Sequence, residues 1–333
     1  MQFGVMLPVQ GPVTNARAIG EAAKEAESLG YISAWVHDGH LTRQTNQKFS
    51  VCGSVESFKE GSDPDFYEPM TTLSYVAGAT RSVKLGSCTF ILPLYDPIIL
   101  ARQAAALDNL SNGRLIFGVS IGGSPALGKF FKIRNLTFEE RGKIFDEYLR
   151  AIRALWSEPI SSFQGNYIKF SDVEVYPKPR SKKIYVGAST KPRGIRRLAE
   201  LADGWMPSHT LTPKEIRQAV LRIKEKQKFY GRDKIDFEVI QRSYACVAET
   251  TQEAWEISAK TVGLRAPQGE EKESSGALIG TKQDVLDRIQ EFKEAGISHL
   301  GIYPIFRGSE SEDLYRSMKT FAEEIIPHFD SDN

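Results

Sequence analysis

His37, Asp38 and His40 fall within four residues of one another in the run AWVHDGHL. An imidazole titrates near neutrality, so either histidine can take a proton from a substrate or return one. The His-x-x-His spacing also suits two metal ligands, but no third ligand is recognisable in the sequence. A second group is Gly187-Ala188-Ser189-Thr190 followed by Pro192, a small-residue loop running into a helix start. Exposed backbone N–H groups and the helix dipole make such a loop an anion site. Lys191, Arg193, Arg196 and Arg197 cluster beside it; the first two suit a phosphate or an acidic tail, and the other two are expected to be solvated. Cys88 reads as a small buried apolar residue rather than a nucleophile. Ser120–Ser124 and His209 complete the polar candidates.

What must position these groups is a set of short strands. Residues 84–122 read as strand, loop, helix, turn, strand: Asp96 caps a helix with Pro97 at its first position, and Asn112-Gly113 breaks that helix. The apolar run 115–119 that follows suits a strand buried on both faces. Strand-like segments at 2–7, 34–36, 84–89, 115–119, 184–186, 204–206, 235–247 and 299–303 alternate with helices. Capping boxes are expected at Thr137 and Thr212, a cap at Thr250, and a helix start at Thr281. Eight βα units predict a (β/α)8 TIM barrel, with the chemistry at the C-terminal strand ends, where every candidate above lies. The competing arrangement, a doubly wound sheet, wants G-x-G-x-x-G after the first strand, where the chain reads LPVQGP.

Composition narrows the partner. With 43 basic and 42 acidic residues the net charge is +1, so no global field favours nucleic acid or an anionic membrane, and a small molecule is expected. No apolar run reaches the roughly 18 residues that span a bilayer. Met1 leads into a strand, and Cys52, Cys88 and Cys246 lack metal-type spacing, so a reduced, cytoplasmic protein is expected. No composition break divides residues 1–333 into two domains. Residues 41–66, 159–183 and 265–275 read as insertions, the first of them as a lid.

The run LGSCTF…DPIILARQAAALDNLSNGRLIFGVSIG, with FGVMLP, YISAWVHDGHL and IYVGAST…ADGW in order around it, resembles the luciferase-like flavin and deazaflavin oxidoreductase superfamily. Its members include F420-dependent methylenetetrahydromethanopterin reductase-like proteins and bacterial luciferase-like monooxygenases. The resemblance implies a single luciferase-like TIM barrel with insertions after strands 2, 4 and 7. It places Asp38 and His40 against the reactive face of the cofactor, with His40 the proton carrier and Asp38 orienting it. The family pattern is W-x-x-D-H, and the extra Gly39 leaves His37 as the alternative. It also implies a non-prolyl cis peptide at Cys88-Thr89 behind the ring, and binding of the cofactor phosphate by Gly187, Ala188, Ser189 and Thr190. The implied cofactor is coenzyme F420, with hydride transfer; the alternative is FMN, with oxygen-using monooxygenation. An Asp rather than a Glu after strand two, and a basic cluster able to meet an oligoglutamyl tail, point to F420. A homodimer is expected, as in similar proteins. The substrate is expected between the cofactor face and the lid at 42–66.

Overall fold

The structure, a computed structural model, describes residues 1–10, 13–39, 65–266, 276–308 and 310–329. His40, Cys52, most of the expected lid and most of the 265–275 insertion lie outside the described residues.

The strands are β1 (Gln2–Met6), β2 (Ser33–Val36), β3 (Lys84–Ser87), β4 (Phe90–Ile91), β5 (Leu115–Ser120), β6 (Ser161–Gln164), β7 (Lys169–Val173), β8 (Ile184–Gly187), β9 (Gly204–Trp205), β10 (Glu238–Val247), β11 (Leu278–Gly280) and β12 (His299–Pro304). The helices are α1 (Ala16–Ser28), α2 (Pro69–Ala79), α3 (Pro97–Leu110), α4 (Gly128–Ile133), α5 (Arg141–Ser157), α6 (Pro192–Leu201), α7 (Pro213–Phe229), α8 (Thr251–Val262), α9 (Lys282–Glu294) and α10 (Ser311–Glu324). Strands β1, β2, β3, β5, β8, β9, β10 and β12 pair in parallel in that order, and β12 returns to β1. The result is a closed eight-stranded barrel ringed by helices, a TIM barrel.

Local signals account for most element boundaries. Asn15, Glu68 and Asp96 each accept backbone N–H groups from the first turn of α1, α2 and α3. Thr212 and Thr281 form full capping boxes on α7 and α9. Thr137 does not: it makes no side-chain cap, and a single 3₁₀ turn at Phe138–Glu140 precedes α5. Tertiary stacking sets that entry instead, with the Phe138 ring edge-on to Phe131 and beneath the Arg141 guanidinium at 4.0 Å. The Pro- and Lys-rich excursion at 159–183 contains an antiparallel hairpin, β6 with β7. Strand β11 was not expected from sequence, since three residues carry no period. It forms because β10 outruns β9 and its last residues, Ala245–Val247, take up Leu278–Gly280 as a partner.

Trp35 fills the lower barrel. Its ring is fully buried, and its Nε1 donates to Ser33 Oγ at 2.7 Å, which in turn meets His299 Nε2 at 2.8 Å. Gly86 is what admits the ring: a Cβ there would lie 2.0 Å from Trp35 Cε3. Gly86→Ala is therefore expected to destabilise the fold by about 3 kcal/mol, the upper end of overpacking costs. Urea unfolding checks this, and an unchanged midpoint would show that the indole can move aside.

Candidate active site

Three strand ends converge at the barrel mouth. The Cys88–Thr89 peptide is cis, as the resemblance implies, and it separates β3 from β4. Ser87 stitches this break to β5: its hydroxyl donates to the Gly118 carbonyl at 3.0 Å and accepts from the Gly118 N–H at 2.9 Å. Gly187, at the end of β8, lies against both, because a Cβ there would sit 3.5 Å from Thr89 Cγ2 and 3.1 Å from Ser120 Cβ. Thr89 and Gly187, which stand 98 positions apart in the numbering, thus share one wall. Cys88 itself is 2% exposed, with Sγ 3.3 Å from the Val36 carbonyl, and burial pushes its thiol pKa up. It is the buried apolar residue that its type suggested.

Asp38 acts as a clamp. Its Oδ2 accepts from the Ile91 N–H at 2.9 Å and from the Tyr95 hydroxyl at 2.9 Å, holding the loop after β2 to the segment beyond the cis peptide. Asp38→Ala is expected to cost about 2–6 kcal/mol, since two partly buried donors lose their acceptor at about 1–3 kcal/mol each. Asp38→Asn keeps an acceptor oxygen and is expected to retain most of that stability. Chemical unfolding of the two variants side by side decides it: equal loss in both would mean that the charge, not the acceptor, is what matters.

The floor of the mouth carries groups that sequence reasoning passed over. Arg242 on β10 stands opposite Gly301 of β12, and its Nη1 donates to the Cys88 carbonyl at 2.9 Å. Its charge also lies close enough to Tyr303 for the two to interact electrostatically. Tyr244 stacks on Tyr303 at 4.9 Å, and His209 meets Tyr244 edge-on at 5.7 Å. His37 is 5% exposed, edge-on to Phe66 at 5.2 Å and to Tyr303 at 6.3 Å. Neither of its ring nitrogens has a hydrogen-bond partner among the described residues. Burial, and then the Arg242 charge, push the His37 pKa down to about 3, and the same two causes push His209 down to about 4. Both rings are neutral at physiological pH. A signal for Arg242 was present in the sequence: Ile240, Arg242, Tyr244 and Cys246 alternate on one face of β10, and a charge on an otherwise apolar inward face marks a site rather than a core.

The loop at 187–190 forms the other half of the mouth. Trp205 Nε1 donates to the Ala188 carbonyl at 3.0 Å, and Arg222 Nη1 to the Thr190 carbonyl at 3.1 Å. Lys191 makes no side-chain cap on α6, and Pro192 takes the first helical position. Gly194 lets this helix start press onto the loop, because a Cβ there would fall 1.9 Å from the Ser189 carbonyl oxygen. A phosphate fits such a cradle, formed by an uncapped helix start and a tightly apposed loop. The expectation that Arg196 and Arg197 are solvated is not met. Arg197 is 6% exposed and paired with Asp146, while Arg196 joins Asp146 and Glu200. Both therefore brace α6 against α5. Lys191 and Arg193 stay exposed and form no ion pair among the described residues.

Among the described residues no group of three or more His, Cys, Asp or Glu could hold a metal, and no helix is long and apolar enough to cross a membrane.

A closed parallel barrel with its polar groups gathered at the C-terminal strand ends is that of a TIM-barrel enzyme. The chain belongs to the luciferase-like monooxygenase family, whose sequence model matches residues 1–299. An uncharacterized protein of Mycobacterium tuberculosis strain H37Rv is 28% identical over 221 residues, 65% of this chain and 74% of that protein. The FMNH2-dependent dimethylsulfone monooxygenase of Pseudomonas fluorescens is 24% identical over 278 residues, covering 72% and 74%. The fold matches the monooxygenase RslO1 from Streptomyces bottropensis with a TM-score of 0.76 at 21% identity, over 99% of this chain and 100% of that one. It matches an F420-dependent secondary alcohol dehydrogenase, in complex with an F420–acetone adduct, with a TM-score of 0.74 at 19% identity over 97% and 98%. The protein is thus of the luciferase-like oxidoreductase and monooxygenase class, whose relatives use a flavin or a deazaflavin.

Proposed function

We propose that this protein passes hydride between coenzyme F420 and a small organic substrate at the barrel mouth. The observation that carries this reading is the uncapped start of α6 with Lys191 and Arg193 exposed and unpaired beside it. Two exposed cations flanking a phosphate cradle suit a cofactor whose phosphate continues into an acidic tail. Gly187, Ala188, Ser189 and Thr190 hold the phosphate in this reading, and Thr89 and the Cys88 carbonyl line the wall behind the ring. Bound F420 supplies hydride chemistry alone. The protein's own part is to hold Asp38 and the loop it clamps, exclude water and move one proton. His40 carries that proton, with His37 the alternative.

A second reading, reduced-FMN-dependent monooxygenation, is favoured by the FMNH2-dependent dimethylsulfone monooxygenase among the relatives. An anaerobic titration of the purified protein with F420 and with FMN, each oxidised and reduced, followed by admission of oxygen, separates the two. Tight F420 binding without oxygen uptake supports hydride transfer. Selective binding of reduced FMN with oxygen consumption establishes the monooxygenase. With the right cofactor in hand, His40→Ala is expected to keep its affinity and lose turnover. Unchanged turnover moves the proton role to His37.

A further inference from the structure

We propose that Arg242 and His37 form the anion-recognition site for the substrate, so that the substrate is a small, flat organic acid bearing one carboxylate or sulfonate group. This rests on reading the barrel mouth as the substrate site.

The neighbourhood of Arg242 is what points to an anion. Arg242 is half-buried at the floor of the barrel, and a charge stripped of part of its water gains from a negative partner. Yet its Nη1 donates to a neutral acceptor, the Cys88 carbonyl. Among the described residues no carboxylate pairs with it, although Arg153, Arg196, Arg197 and Arg232 elsewhere in this chain all have one. The Arg242 Nε–H has no acceptor among the described residues. One donor of the planar fork is therefore unspent, of the kind that a carboxylate or sulfonate takes up.

His37 is the independent second observation. It is buried, it reaches Tyr303, the tyrosine close to Arg242, and neither ring nitrogen has a partner among the described residues. Buried polar atoms in native proteins are nearly always satisfied, so an imidazole with both nitrogens idle marks a place where something else binds. Kept neutral, it offers one N–H donor to the acid's second oxygen without adding a charge. Tyr244, stacked on Tyr303 and met edge-on by His209, gives the site a flat aromatic wall. A planar body is therefore preferred over a branched one.

The test uses benzoate, benzenesulfonate and neutral benzamide as probes, titrated calorimetrically into the purified protein, alone and saturated with the cofactor identified above. Benzoate or benzenesulfonate is expected to bind at least tenfold more tightly than benzamide in both states. Arg242→Gln is expected to abolish that preference and Arg242→Lys to keep part of it, with His37→Phe lowering acid affinity several-fold while the preference over benzamide survives. If the Gln variant fails to fold, the wild-type preference and the Lys variant carry the comparison. Equal affinity for acid and amide, binding of none of the three, or a preference that persists in Arg242→Gln overturns the proposal. So does acid binding that vanishes once cofactor is present, since Arg242 would then serve the cofactor. Failure to bind either flavin or deazaflavin would sink the functional reading while leaving the anion preference measurable on the protein alone.

Discussion

Lowering the pH from 6.5 to 4 is expected to remove about 8 kcal/mol of folding stability, comparable to the whole stability of many single domains. The cause is three imidazoles held neutral. Burial, followed by the charge of Arg242, pushes His37 down to about 3 and His209 to about 4; burial, followed by the charge of Lys84, pushes His299 down to about 3. An unfolded histidine titrates near 6.5. Above that value both states are neutral at these rings and their contribution is intact. Below it the unfolded chain takes up three protons that the fold refuses, and stability falls until the folded values are reached. Each ring contributes a slope approaching about 1.4 kcal/mol per pH unit. Glu27 acts in a different window. Its burial opposes ionisation, but the N–H groups of Ser82, Val83 and Arg81 and the Ser82 hydroxyl outweigh it and bring its carboxyl down to about 2, so its contribution is lost only below about 4.5. Urea midpoints at pH 7, 5.5 and 4.5 test the assignment. Replacing His299 by Gln should remove close to a third of the slope, and a flat profile over that range would show that none of the three rings is held neutral.

The second large effect concerns the phosphate cradle. Gly194→Ala is expected to weaken cofactor binding about 100-fold, the equivalent of two charge-assisted hydrogen bonds at about 1.5 kcal/mol each. The added Cβ would lie 1.9 Å from the Ser189 carbonyl oxygen, so the loop at 187–190 has to leave the start of α6. A separated loop and helix cannot direct their N–H groups at one phosphate. Global stability should fall much less than affinity, because Ser189 is exposed and the loop stays anchored by Trp205 and Arg222. Equilibrium binding of the cofactor alongside a thermal melt gives both quantities. Undiminished affinity in a folded variant would move the phosphate elsewhere in the mouth.

Secondary structure was legible where it rests on local chemistry. The caps at Asp96, Thr212 and Thr250, the helix start at Thr281, the Asn112-Gly113 stop with both residues at positive φ, and the apolar run of β5 are properties of neighbouring residues, and they stand where the spacing put them. Eight strands alternating with helices then leave few compact closures, and the closed barrel is one of them. The family motifs carried the cofactor class and the cis peptide at Cys88-Thr89.

What only the tertiary structure decided is which side chains share a surface. Arg196 and Arg197 lie next to the phosphate loop in sequence, yet helical geometry turns them to Asp146 on α5, while the distant Arg222 reaches Thr190. Arg242 on β10, Tyr303 on β12 and His37 just past β2 are far apart in the chain and come together because a parallel barrel brings its strands and their ends round one axis. A charge's worth depends on what faces it across that axis. No window of sequence contains both sides of it.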